Sequence, residues 1–222
     1  MSTRRPPPPV RRLVLALLLL AAAGQAQIHH VVTYNEQDGL PSAAIRDLAW
    51  SAEGDLLLAT RSGLVAFDGL DWRPLAEKGP WREHPACCVA VDDAGRVWGA
   101  SVWDPVRFGM QEDGRWRGMG AGAGPPNDRI HTLLPRQTAR GEPMVAAISR
   151  GGVVALVFAD TLRTVVARES LGWVASGAWA GDTLLLATES GLMRLSGLPD
   201  RPRIAAVPGV APWAKTGVEL GI

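Results

Sequence analysis

The chain has 222 residues, 47% hydrophobic and 20% charged, with 23 basic against 22 acidic side chains and a formal net charge of +1. These are globular proportions, with enough length for one good core or two small ones. Four of the positive charges (Arg4, Arg5, Arg11, Arg12) sit in the leader, so the remainder is slightly acidic and nucleic acid is excluded as a partner. Two cysteines, Cys87 and Cys88, exclude a disulfide framework.

Residues 1–26 read as a secretory signal peptide. A basic segment to Arg12 precedes an apolar run from Leu13 to Ala23, and Gly24-Gln25-Ala26 offers small residues for cleavage before Gln27. The run is about half of the roughly 20 residues a membrane helix needs. An uncleaved leader would tether the chain instead; either way residues 27–222 are expected at the periplasmic or extracellular face.

The first repeat unit spans about 35–75. Gly39-Leu40-Pro41-Ser42 signals a turn, Ile45 to Trp50 a strand, and Ser51 to Asp55 a hairpin. Leu56 to Thr60 predicts an apolar strand buried on both faces. Arg61-Ser62-Gly63 turns the chain back, Leu64 to Phe67 returns, Asp68-Gly69 turns again, and Trp72 opens an outer strand. A connection from Ala76 to Pro85 follows, carrying Trp81, Arg82 and His84.

The second unit, about 86–117, repeats this order with Val89 to Val91, the turn Asp92-Asp93-Ala94-Gly95-Arg96, Val97 to Ala100, Val106 to Phe108 and Gly114-Arg115-Trp116. Strand neighbours point to opposite faces, so one thiol of Cys87-Cys88 is expected inward and the other outward, as small core hydrophobes. Gly118 to Pro126 predicts a flexible loop. The third unit, about 128–167, is eroded: Ile130 to Leu134, Met144 to Ser149 and Val153 to Phe158 are its strands. The fourth, about 172–198, runs from Trp173 through Leu184 to Ala187 and Gly191 to Leu195. A further unit is expected to start after 199.

The units are tied together by a repeated phrase. Leu56-Leu57-Leu58-Ala59-Thr60-Arg61-Ser62-Gly63-Leu64 recurs at Leu184 to Leu192 with eight of nine positions identical. Three units between the copies give a period of about 43 residues, the length of a four-stranded propeller blade. Glycine and proline, 25 and 17 residues, are scattered too densely for long helices. The fold class is therefore all-β: a β-propeller of four-stranded antiparallel blades, with about four to five blades and an incomplete ring.

The motifs Asp38-Gly39-Leu40-Pro41-Ser42, Thr60-x-x-Gly63-Leu64-x-x-Phe67-Asp68-Gly69 and Asp92-x-x-Gly95-x-Val97-Trp98-Gly99 resemble the two-component regulator propeller repeat. The resemblance covers 34–72, 86–116 and 173–195, and is weakest over 128–158. It implies a periplasmic or extracellular sensor propeller of a bacterial signalling protein. Members of that family carry further blades, an immunoglobulin-like domain, a membrane helix and a histidine kinase, diguanylate cyclase or phosphatase output. None of those output modules is spelled in these residues, so the chain is expected to be the N-terminal part of a larger sensor or a truncated product. By the same resemblance Ile28 to Tyr34 would be the outer strand that closes a ring.

No residue set is expected to catalyse. His29, His30, His84 and His131 lack the Cys or acid partners of a tetrahedral metal site. Asp92-Asp93-x-Gly95 lacks the later bidentate Glu of a calcium loop and reads as a turn. Asp47 with Glu53, or Asp92 with Glu112, could be named as a glycosidase pair, but nothing fixes their separation. Neither a nucleophile elbow nor a phosphate-binding loop appears, and no cofactor is expected.

Of nine tryptophans, Trp50, Trp72, Trp98, Trp116 and Trp173 fall at blade positions and are expected to pack between sheets. Trp81 and Trp103 fall in loops, where aromatic faces can stack on a flat ligand. Arg61 and Arg150 occupy equivalent turn tips, with Glu189 the third equivalent, and turn tips carry function. The expected ligand-binding residues are Arg61, Trp81, Trp103 and Arg150. The expected function is non-catalytic sensing of an extracytoplasmic ligand, a glycan among the options, or of a protein. Membrane contact is expected only through a C-terminal segment outside this sequence or through the leader. The alternatives are a secreted enzyme acting on polysaccharide and a plain protein-interaction scaffold.

Overall fold

The computed structural model describes residues 31–75, 84–102, 108–112, 114–119, 130–138, 140–158, 161–167 and 170–210. Residues 1–26, expected to be a signal peptide, lie outside them, as do Trp81, Trp103 and most of the Gly-rich loop. The chain divides into two compact units, 1–34 and 35–222. Of the first, Val31 to Tyr34 are described and form no strand, and the rest of the closing strand expected over Ile28 to Tyr34 lies outside the described residues.

The second unit holds sixteen strands among its described residues. The first sheet is β1 (Ile45–Trp50), β2 (Leu56–Thr60), β3 (Gly63–Phe67) and β4 (Trp72–Pro74). The second is β5 (Ala86–Val91), β6 (Val97–Ser101), β7 (Phe108–Glu112) and β8 (Arg115–Met119). The third is β9 (Ile130–Gln137), β10 (Pro143–Ser149), β11 (Val154–Phe158) and β12 (Thr161–Val166). The fourth is β13 (Val174–Ala180), β14 (Thr183–Thr188), β15 (Gly191–Ser196) and β16 (Arg203–Ala206). Each is an antiparallel meander with its strands in chain order, the topology of a propeller blade.

Two boundaries differ from the sequence reading. Residues 203–206 complete the fourth sheet against Met193 to Ser196, rather than opening a further unit. Gly118 and Met119, expected in the flexible loop, pair with Gly109 and Phe108 at the end of β8. In both places a strand already has an open edge, and ladder pairing outweighs the weak local propensity.

The repeated phrase folds the same way twice. Thr60 Oγ1 donates to the Gly63 carbonyl at 2.9 Å and accepts from Ser62 N at 3.0 Å. Thr188 Oγ1 donates to the Gly191 carbonyl at 2.8 Å and accepts from Ser190 N at 3.2 Å. Gly63 and Gly191 take φ of +105° and +113°, where an L side chain is strained, which is why Ser-Gly recurs.

The core lies between successive sheets. Leu57, Ala59, Leu64 and Ala66 of the first pack on Ala86, Val89 and Val97 of the second. Trp98, Ala100, Phe108 and Met110 of the second meet Ile130, Leu133, Val145, Ala147 and Val157 of the third. Met144, Ala146, Ile148, Val154 and Leu156 of the third meet Val174, Leu184, Leu186 and Leu195 of the fourth. Strand β10 shows why blade interiors read as unbroken apolar runs. Its Val145 and Ala147 face one neighbour, while Met144, Ala146 and Ile148 face the other.

The Asp92 turn is structural. Its carboxylate accepts from Ala94 N and Arg96 N at 3.0 Å each, from Arg96 Nε at 2.7 Å and from Trp98 Nε1 at 3.1 Å. Four N–H donors use the lone pairs that a cation would need.

Candidate functional site

The first strand of each of the four described blades carries one extra residue. Pairing skips Arg46 in β1, Cys87 in β5, His131 in β9 and Ala175 in β13. Such a bulge bends the strand and re-aims the extra side chain. Arg46, Cys87 and His131, from three successive blades, line one cavity of about 330 Å³. Val102, Ile130 and Arg150 complete its wall.

A second series of equivalent positions feeds the same end. Arg61, Val102 and Glu189 each follow the second strand of their blade. Each donates its backbone N–H to the carbonyl just before the first strand: Arg61 to Ala44 at 3.2 Å, Val102 to Pro85 at 3.0 Å and Glu189 to Trp173 at 3.0 Å. Arg150 stands at the corresponding place in the third blade, and its carbonyl accepts from Val174 N at 3.1 Å. The residue before each of these positions is a buried hydroxyl: Thr60, Ser101, Ser149 and Thr188.

Of the four expected binding residues, Arg150 lines the cavity. Arg61 is exposed at the equivalent turn of the first blade and is not in the cavity wall. Trp81 and Trp103 lie outside the described residues. Sequence reasoning missed Arg46, Cys87, Val102, Ile130 and His131. The signal was available in part: Arg46, Cys87, His131 and Ala175 recur at the blade period, and three of them are polar or reactive at a position where a strand should bury carbon.

Each blade junction beside the cavity is tied by one side chain. Val89 N donates to Asp47 Oδ2 at 3.0 Å, joining the first two blades. Cys88 Sγ lies 3.6 Å from the Ile130 carbonyl oxygen, joining the second to the third. His131 Nε2 lies 3.3 Å from the Ala175 carbonyl oxygen, joining the third to the fourth. That carbonyl can only accept, so the neutral ring carries its proton on Nε2.

The cysteine pair corrects the sequence expectation. Both thiols are buried on the same side, with Cys88 Sγ 3.1 Å from Cys87 Sγ. Cys87 is the bulge residue, and an extra residue in a strand cancels the alternation that would have set the neighbours apart. Cys87 Sγ also lies 3.3 Å from the Ser101 carbonyl oxygen and 3.4 Å from that of Ala100.

The titrating groups reflect this half-dry setting. Burial holds the Asp47 carboxyl above its ordinary range, although the N–H groups of Val89 and Leu48 pull it down. Burial also pushes His131 below its ordinary value, reinforced by the Arg150 cation and opposed by the Ala175 carbonyl. The Cys88 thiol is pushed far up by its hydrogen bond to Cys87 and by burial.

A second hollow of about 340 Å³ lies between the first two blades, lined by Glu53, Arg96, Gln111 and Glu112 among others. Its arginine is already engaged, by Asp92 at 2.7 Å and Glu112 at 3.6 Å. Among the described residues no group of three or more His, Cys, Asp or Glu is placed to hold a metal ion, and no helix is long and apolar enough to cross a membrane.

No protein-family model and no curated protein matches the chain in sequence. Solved structures do match in fold. A catalytically inactive virginiamycin B lyase from Staphylococcus aureus, crystallised with quinupristin, aligns at a TM-score of 0.58 and 10% identity over 82% of this chain. The extracellular domain of a candidate hybrid two-component system from Bacteroides thetaiotaomicron aligns at 0.52 and 15% over 81%. The extracellular domain of a candidate one-component system from the same organism aligns at 0.51 and 13% over 77%. The chain spans 61%, 25% and 22% of these three proteins respectively. At such identities the likeness establishes the propeller architecture and leaves activity open.

Proposed function

We propose that this chain is the exported, ligand- or partner-sensing propeller segment of a bacterial signal-transduction protein, and that it is not itself catalytic. The observation that carries the reading is the convergence of Arg46, Cys87 and His131, one bulge residue from each of three successive blades, on one open cavity at the turn end. A scaffold that only held partners by its rim would have no use for re-aiming polar side chains into a hollow. The secretory leader in 1–26 and the resemblance to sensor propeller repeats support it, as do two structural neighbours that are extracellular domains of candidate regulatory systems. The docking face in this reading is the turn end that carries Arg61 and Arg150.

The test has two arms. The full chain fused ahead of a reporter that is active only outside the cytoplasm should give reporter activity, lost when the apolar run is interrupted by Leu17→Arg and Leu19→Arg. The purified chain should show saturable ligand binding without turnover. Retention of the fusion in the cytoplasm would defeat the export reading.

A secreted enzyme is the second reading, favoured by the lyase among the neighbours. Asp47 follows the cavity-lining Arg46 in the chain, and its two oxygens are taken up by Val89 N and Leu48 N. Measurable glycan cleavage abolished by Asp47→Asn would establish that reading instead.

A further inference from the structure

We infer that the cavity receives a small anion, a carboxylate or phosphate head, held between the guanidinium groups of Arg46 and Arg150, with a short apolar body against Val102 and Ile130. The inference rests on the sensing role proposed above and specifies the ligand of that same site.

Three arginines elsewhere in the blades are each matched to their own carboxylate. Arg73 is paired with Asp55, Arg96 with Asp92 and Arg136 with Asp182. Arg46 and Arg150 line a shared hollow, and among the described residues neither guanidinium makes an ion pair or a hydrogen bond. They come from the first and third blades, whose first strands flank that of the second. Two cations on one concave wall repel each other, and the arrangement is relieved by an anion between them. A guanidinium offers paired N–H donors in a fork that fits carboxylate and phosphate oxygens.

The remaining charges do not neutralise the site. Asp47 is committed to Val89 N and Leu48 N, His131 favours its neutral form, and Cys87 donates toward backbone carbonyls. Residues 27–222 carry 19 basic against 22 acidic side chains, so two guanidinium groups on one wall stand out from a slightly acidic whole. His131 stands in the same wall with its Nε2 directed at the Ala175 carbonyl. A volume of about 330 Å³ stands at the small end of ligand pockets, which run from about 300 to 1,000 Å³. It suits one small molecule better than a polysaccharide chain.

The experiment is calorimetric titration of the full chain with inorganic phosphate, with butyrate and with uncharged butyramide. Four forms are compared: unmodified, Arg46→Gln, Arg150→Gln and the double variant, with Arg194→Gln as an exposed control. Butyrate or phosphate should saturate the unmodified chain and weaken as salt rises, and butyramide should not bind. Each single substitution should weaken binding about tenfold or more, the double variant should abolish it, and the control should leave it unchanged. All three arginines are exposed, so folding, checked by circular dichroism, should be unaffected. Absence of saturation by either anion, or anion binding that survives in the double variant, overturns the site. A neutral oligosaccharide that binds equally to the double variant overturns the anion while leaving the sensing role in place. Anion binding by a chain that stays in the cytoplasm does the reverse.

Discussion

Val89 N–H donates to the Asp47 carboxylate across the junction of the first and second blades, at 3.0 Å. The same carboxylate accepts from Leu48 N at 2.9 Å, so one side chain closes its own bulge and holds the next blade. Asp47→Ala leaves a backbone N–H unpaired and should cost about 1–3 kcal/mol in denaturant unfolding. Asp47→Asn keeps an acceptor and should cost less. Burial raises the Asp47 pKa above 3.8, so the folded state prefers the protonated form. The stability it contributes is present below that value and is lost as pH rises past it. The deficit of the Asn variant should therefore shrink as pH rises above the ordinary carboxyl range; a deficit that grows with pH would contradict the buried-carboxyl assignment.

Cys88 gives the opposite end of the pH range. Its thiol is held protonated by Cys87 and by burial, whereas an unfolded thiol ionises near pH 8.5. Stability from this group is complete below that pH and drains away above it. In the presence of reductant, thermal unfolding should fall more steeply from pH 8.5 to 10 for the natural chain than for Cys88→Ala. Parallel slopes would show that the thiol pair is solvated.

Arg136 and Trp179 staple the third blade to the fourth. The guanidinium lies 4.6 Å from the centre of the indole ring and donates to the Gly181 carbonyl at 2.7 Å and to Asp182 at 2.6 Å. The indole Nε1 donates to the Leu134 carbonyl at 2.9 Å. Trp179→Phe should cost about 1–2 kcal/mol. A double-mutant cycle with Arg136→Gln should give a coupling of about 0.5–1 kcal/mol. Strict additivity would remove the staple.

The repeated phrase supplies a matched pair. Leu57 is 1% exposed beneath the second blade, while its counterpart Leu185 is only partly covered. Leu57→Ala should cost about 2–5 kcal/mol, and Leu185→Ala on the order of 1 kcal/mol. Equal costs would mean that the neighbouring sheet contributes little to either leucine.

These outcomes also mark what the sequence disclosed. Thr60 and Thr188, with their Ser-Gly turns, repeat because each closes the same hydrogen-bonded loop, and that chemistry is visible in letters. Strands β12 and β16 were not visible as such. Thr161 to Val166 and Arg203 to Ala206 are half-exposed outer strands without an apolar signature, fixed by pairing to a neighbour. Tryptophan was read too uniformly. Trp98 is buried because its Nε1 reaches Asp92, and Trp116 donates to the Leu75 carbonyl at 2.9 Å. Trp50 and Trp173 are 64% and 42% exposed and do not pack between sheets. The bulges were the main loss. A bulge is a property of two strands in register, and no single strand announces it.

That bulge also separates two kinds of change that a protein can undergo. The residue it adds to each inner strand is skipped by the pairing that builds the blade, so Arg46, Cys87, His131 and Ala175 can be exchanged with little disturbance to the ladder. Three of these letters, Arg46, Cys87 and His131, spaced one blade apart, form an alphabet for the cavity that can be rewritten while the architecture stays constant. Descendants of this scaffold could trade a cation for an acid or a thiol for an aromatic ring, and acquire a different ligand without learning a new fold.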